Sequence, residues 1–152
     1  MSFDSSRSTP AGYWHFAAQY FHAAKAVNST KRNITIPTLQ LYGQSVELVL
    51  KAFLLKRGTT LAEVNAMRHR LEEILQAARK RRLGTEVKLS RNDIALINLL
   101  SENYASHRFR YIVTGATRIP QPKAISPVCE HLLINLERYC TGTAWGLYHH
   151  GG

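Results

Sequence analysis

The chain has 152 residues, of which 45% are hydrophobic, and it carries 20 Lys and Arg against 10 Asp and Glu, a formal net charge of +10. No apolar run approaches the roughly 20 residues that cross a bilayer, and the start of the chain lacks the basic-then-apolar order of a secretory signal. We therefore expect one cytoplasmic domain over residues 1–152, with a core at about 10–140 and an irregular tail at 141–152. The charge favours a polyanionic partner, nucleic acid before anionic membrane.

The first part of the chain shows two helical patterns. Thr9 and Pro10 provide an N-cap and a first-turn proline, and the apolar spacing that follows predicts a helix over 10–28. The stretch NSTKRNITIP reads as a connector, because β-branched residues and Pro37 disfavour one continuous helix. From Pro37, apolar residues at i, i+3, i+4 and i+7 predict a second helix that ends before Gly58.

The middle of the chain begins with a capping signal. Thr60 and Glu63 form a capping box that opens a helical stretch reaching toward Gly84. The pattern allows either one helix or two helices with a break near Arg68 and His69.

Two further helices are expected after residue 84. Ser90 and Asp93 form a second capping box before a periodic apolar stripe, and Ser126 with Pro127 predicts the start of a last helix that runs to about Cys140. With no repeat and no clear strand alternation, the chain is expected to be all-α, an up-down bundle of about five helices.

No cofactor and no metal site are expected from the sequence. Cys129 and Cys140 lie eleven positions apart on one predicted helix, so their rise of about 16 Å exceeds disulfide reach and they are expected as thiols. Neither CxxC nor HExxH occurs, and these are the spacings that most often indicate zinc.

Residues 102–115, ENYASHRFRYIVTG, crowd cations and aromatic rings into one segment. Arg108 and Arg110 offer planar donors for phosphate oxygens, and Tyr104 or Tyr111 offers a face for base stacking. In the alternative interpretation Tyr104 packs in the core and the arginines complement a helix end. A second basic run comprises Arg79, Lys80, Arg81 and Arg82. It has two interpretations as well, as a phosphate-binding surface or as a solvated helix end.

Three segments, in this order, resemble the HEPN domain, a small helical bundle often found beside nucleotidyltransferases and in toxin–antitoxin and defence systems. They are SVELVLKAFLLKRG at 45–58, RHRLEEILQAA at 68–78 and YASHRFRYIV at 104–113. The aromatic and alanine-rich stretch GYWHFAAQYFHAAK is also similar to the first helix of these domains. The resemblance implies a homodimer and a polar groove lined by the helix that carries Glu47 and Lys51, which are spaced as an i, i+4 ion pair.

The catalytic members of that family use an Arg followed four to six residues later by a His, and this spacing is missing after Arg108 and Arg110. The expected function is therefore binding of RNA or a nucleotide rather than catalysis. One alternative is a protein partner of a nucleotidyltransferase or another enzyme. Another is a metal-independent ribonuclease with a displaced histidine, for which His107 and His69 are the candidate general bases.

Overall fold

A computed structural model describes residues 8–30, 34–104, 119–143 and Leu147. Over these residues the chain forms α-helices and one 3₁₀ turn and contains no strand, which confirms the all-α class. Six α-helices are described rather than about five, because the stretch after Thr60 divides into two. The helices are α1 (Pro10–Asn28), α2 (Thr35–Lys56), α3 (Leu61–Ala66), α4 (Leu71–Lys80), α5 (Arg91–Tyr104) and α6 (Pro122–Thr141), with the 3₁₀ turn at Leu83–Thr85.

The helix starts follow the sequence signals closely at three points. The Thr9 hydroxyl accepts from the Gly12 amide at 2.9 Å and begins α1 at the expected residue. The box before α5 is complete, since the Ser90 amide donates to Asp93 Oδ2 at 2.9 Å and the Asp93 amide donates to Ser90 Oγ at 3.0 Å. Thr60 caps α3 by accepting from the amide of Glu63 at 3.1 Å.

The start of the last helix was predicted wrongly. α6 begins at Pro122, with Gln121 as its N-cap, and Pro127 lies inside the helix. Pro122 occupies the first turn, where a missing N–H has no consequence, so the earlier proline begins the helix. The second helix also begins earlier than expected, at Thr35 rather than Pro37.

The helix α2 forms the centre of the bundle and contacts each of the other described helices. Its apolar residues are buried on almost every side, which suits a helix surrounded by neighbours. α1 and α6 pack against it, and the Trp14 indole donates to the carbonyl of Leu133 at 2.9 Å across the α1–α6 contact. A polar group on α2 is therefore carried into the interior, where it needs partners from other helices.

Candidate functional site

The buried carboxylate of Glu47 is the centre of the polar interior. Its side chain is 4% exposed, and it accepts three hydrogen bonds from three different parts of the chain. Lys51 Nζ donates to Oε2 at 2.9 Å, the Tyr104 hydroxyl donates to Oε1 at 2.7 Å, and His69 Nδ1 lies 2.8 Å from Oε1. Three donors satisfy a charge that would otherwise be costly to bury.

Lys51 lies one helical turn after Glu47, so the expected i, i+4 ion pair is present. Its side chain is only 7% exposed, so the pair is buried rather than solvated. Lys51 Nζ also donates to the carbonyl of Arg68 at 2.6 Å. One ammonium group therefore links the central helix to the joint between α3 and α4.

That joint lies near Arg68 and His69, where the two-helix alternative placed a break. Arg68 has φ +49°, a left-handed conformation that bulky residues adopt at a cost of about 1–2 kcal/mol. The hydrogen bond from Lys51 to the Arg68 carbonyl helps to hold this turn. His69 follows directly, with its side chain 50% exposed and its Nδ1 atom against the carboxylate of Glu47.

Tyr104 is the last residue of α5, and its ring fits against the backbone of α2. A Cβ atom built on Gly43 would lie 2.6 Å from Cδ2 and 2.7 Å from Cε2 of Tyr104, so only glycine leaves room for the ring. Tyr104 is 1% exposed. Burial raises the pKa of its phenol far above the usual range, and the negative charge of Glu47 and the hydrogen bond to it raise this pKa further, so the group stays a donor.

A cavity of about 530 Å³ opens beside this network. Its size is within the range of small-ligand sites, which is about 300–1,000 Å³. Burial, followed by the nearby charge of Glu47, raises the pKa of Tyr13 at its edge. The lining comes from α1, α2 and the α3–α4 joint: Tyr13, Glu47, Leu48, Lys51, Asn65, Ala66, Arg68 and His69.

The polar groups around this cavity differ in whether they already form hydrogen bonds within the protein. The guanidinium of Arg68, the amide of Asn65 and the hydroxyl of Tyr13 make no hydrogen bond to any residue of the described chain. Glu47 and Lys51 are instead bound to each other and to the joint. The groups available to a guest are therefore mostly donors, and Arg68 adds a full positive charge.

The geometry of His69 suits acid–base chemistry. Of the two neutral tautomers, a carboxylate against Nδ1 favours the one with its hydrogen on that atom, which places the lone pair on Nε2. An imidazole oriented in this way by a buried carboxylate is the arrangement found in many general bases. Arg68 stands next to it in the chain, and it lines the same cavity.

The other expected site residues fall into two groups. Arg79, Lys80, Arg81 and Arg82 are exposed at the end of α4 and just beyond it. The residues His107, Arg108, Arg110 and Tyr111 lie outside the described residues. Tyr104 belongs to neither group, because it is buried against α2 and holds Glu47 instead of presenting an open stacking face.

Sequence reasoning did not single out Tyr13, Asn65 or Arg68 as site residues. Tyr13 fits the apolar stripe of α1, so its pattern gives no reason to assign it to a site. Asn65 and Arg68 flank the joint between α3 and α4, where the sequence offered only a helix break and the start of the HEPN-like segment 68–78. The break of the two-helix alternative was the signal that marked this region, because connections between helices often carry binding residues.

No family model, no curated protein and no solved structure matches this chain. No helix in the described part of the chain has both the length and the apolar character needed to span a membrane. The same residues contain no cluster of three or more His, Cys, Asp or Glu side chains placed to hold a metal ion.

Proposed function

We propose that this chain is a HEPN-like helical domain that binds RNA or a nucleotide at the cavity beside Glu47. The observation that carries the proposal is the guanidinium of Arg68, which lines the cavity next to His69 and has no partner among the described residues. A guanidinium offers two parallel donors to a phosphate oxygen pair, and this geometry is the usual reason for an arginine at such a site.

The arrangement of the three HEPN-like segments supports the family assignment. Glu47 and Lys51 come from segment 45–58, His69 comes from segment 68–78, and Tyr104 begins segment 104–113. All four side chains meet in one hydrogen-bonded network, although the three segments that supply them are separate in sequence. The three segments that carry the resemblance thus meet around one carboxylate in the fold.

The net charge supports an anionic ligand. The excess of ten positive charges raises the local concentration of polyanions, and the exposed run 79–82 adds four cations at the end of α4. Arg108 and Arg110 come four and six positions after Tyr104 in the sequence, and they remain predicted phosphate contacts. By resemblance we also propose a homodimer, which size-exclusion chromatography with light scattering tests directly.

The experiment is fluorescence anisotropy with a labelled single-stranded RNA over a salt series, using protein freed of nucleic acid. We expect affinity to fall steeply with salt, and Arg68→Ala to weaken binding by roughly tenfold, as loss of one charged contact does. Arg91→Ala removes an exposed arginine at the start of α5 and serves as the matched control.

Equal loss in the Arg68 and Arg91 variants would show that only the overall charge matters, and it would overturn the site. Absence of salt-sensitive binding would overturn the proposed function and favour the protein-partner alternative. The double variant Arg108→Ala/Arg110→Ala tests the remaining predicted contacts in the same assay.

A second candidate function is cleavage of RNA without a metal, and the contact between Glu47 and His69 favours it. In the proposed step, Nε2 of His69 takes the proton of a ribose 2′-hydroxyl, O2′ bonds to phosphorus, and the bond from phosphorus to O5′ breaks. The departing oxygen takes a proton from solvent and the imidazolium later releases one. Arg68 would stabilise the charge that develops on the phosphate.

Cleavage in excess chelator tests this candidate, with products bearing a 2′,3′-cyclic phosphate and a 5′-hydroxyl. We expect His69→Ala to abolish cleavage, and His131→Ala, which removes an exposed histidine of α6, to leave it unchanged. Loss of cleavage in His107→Ala alone would move the base to the other candidate histidine. Absence of those products from the wild-type reaction would overturn catalysis without affecting binding.

A further inference from the structure

A second cavity, of about 430 Å³, lies at the far end of α4 and is lined almost wholly by cations. The described residues that line it are Arg57, Lys80, Arg81, Arg82 and Thr85, with no carboxylate among them. Like charges gathered around a concave surface repel one another unless an anion joins them. We propose that this cavity is a discrete site for a multiply charged phosphate group, such as a pyrophosphate.

Arg57 gives the cavity a fixed wall. Its guanidinium lies 5.0 Å from the ring centre of Phe53 and 5.1 Å from that of Tyr139. It donates to the carbonyls of Arg81 at 3.0 Å and Arg82 at 3.1 Å and to Thr85 Oγ1 at 2.6 Å. Stacking and three hydrogen bonds leave this cation little freedom, so it is ordered before any ligand arrives.

The same contacts reduce the negative charge at the carboxyl end of α4. The carboxyl end of a helix carries partial negative charge on its free carbonyls, and this charge normally repels anions. Here Arg57 binds carbonyls that follow α4, and it thereby covers negative charge that would face the cavity. The end of α4 is thus open to an anion, although the helix dipole alone would disfavour one.

Lys80 and Arg82 supply the groups that a ligand can use. Neither side chain bonds to another residue in the described ranges, and both are exposed at the cavity. Arg82 has φ +63°, in the left-handed region that favours glycine, and this conformation carries strain. Residues with strained backbones cluster at functional sites, so this conformation agrees with the assignment made from charge and shape.

The site at the end of α4 does not depend on the cavity beside Glu47. Binding there involves specific cations, whereas a diffuse attraction between RNA and the basic run involves all of them. Arg79 belongs to the run and is exposed, but it does not line the cavity. A discrete site therefore needs Arg82 and Lys80 more than it needs Arg79, whereas diffuse attraction needs all of them equally.

Arg82→Gly is the informative variant, because glycine adopts a positive φ easily and the change removes the guanidinium while relieving strain. Isothermal titration of the full chain with inorganic pyrophosphate at low salt should show one site per chain. We expect Arg82→Gly and Lys80→Ala each to weaken pyrophosphate binding by about tenfold or more, because each removes charge-assisted hydrogen bonds to the ligand. Arg79→Ala should change the affinity for pyrophosphate by less than about twofold.

Unsaturable binding, or equal weakening by Arg79→Ala and Arg82→Gly, would overturn the site. The RNA anisotropy assay then separates the two sources of the phosphate. If Arg82→Gly also weakens RNA binding, the site takes backbone or terminal phosphates of RNA; if RNA binding is unchanged, the site takes a free polyphosphate. A site that persists when RNA binding is absent would retain this inference and reject only the proposed function.

Discussion

Replacing Glu47 by alanine removes the acceptor that Lys51, His69 and Tyr104 share. The Lys51 side chain, which is 7% exposed in the wild type, would keep the Arg68 carbonyl as its one hydrogen-bond acceptor in the described chain. The buried hydroxyl of Tyr104 would lose its acceptor at the same time. The variant therefore leaves an uncompensated buried charge and an unsatisfied donor, not merely a cavity.

Breaking a buried ion pair from one side costs about 3–5 kcal/mol, and the orphaned hydroxyl adds roughly 1 kcal/mol or more. Because these terms overlap, we expect a total near 4 kcal/mol, a large share of the roughly 5–15 kcal/mol that stabilises a domain. With a urea dependence of about 2 kcal/mol per molar, the denaturation midpoint should fall by about 2 M.

Urea denaturation followed by circular dichroism measures this shift. Glu73→Ala is the matched control, since Glu73 forms an exposed ion pair with Arg70 and its removal should leave the midpoint unchanged. The double variant Glu47→Leu/Lys51→Met replaces both charges by apolar groups and should recover most of the loss. A Glu47→Ala midpoint no lower than that of Glu73→Ala would refute the buried network.

Three further predictions concern the bundle around the site. Gly43→Ala should lower the free energy of unfolding by about 1–3 kcal/mol in the same assay, because the added Cβ would lie 2.6 Å from the Tyr104 ring. An unchanged denaturation midpoint would contradict the close fit of this ring. Arg57→Lys should lower the thermal midpoint nearly as much as Arg57→Ala, because an ammonium replaces neither the planar stacking nor the paired donors. Burial raises the pKa of Cys129 and Cys140 to about 12, so stability is retained below the usual thiol pKa of about 8.5 and falls as pH rises from there toward 12. Iodoacetamide should label both thiols in urea but not in the native protein at pH 8.5, and rapid native labelling would exclude their burial.

Local signals in the sequence were enough for some of the helix starts. Thr9 with Pro10, and Ser90 with Asp93, act within three or four residues, so the chemistry that caps each helix can be identified without the fold. The last helix shows the limit of this approach. Two prolines five positions apart, Pro122 and Pro127, both suit a first turn. Ile125 between them packs in the core, and the helix extends back to the first proline.

The site was predicted in part. The i, i+4 spacing of Glu47 and Lys51 indicates an ion pair, but the pattern does not show that α2 is surrounded and that the pair is therefore buried. His69 was a candidate general base because of the chemistry of imidazole alone. Its carboxylate partner, Glu47, lies 22 positions earlier in the chain and on another helix. Such contacts depend on how helices pack, and no local period encodes them.

The measurement that most directly tests the central claim is nuclear magnetic resonance of the His69 imidazole during titration with a short single-stranded RNA. We predict that the free protein shows the tautomer with hydrogen on Nδ1, held by Glu47, and that Nε2 shifts with saturating RNA. In Arg68→Ala the shift should require about tenfold more RNA. RNA that binds and shifts other resonances while leaving His69 unchanged would contradict a binding site at this cavity.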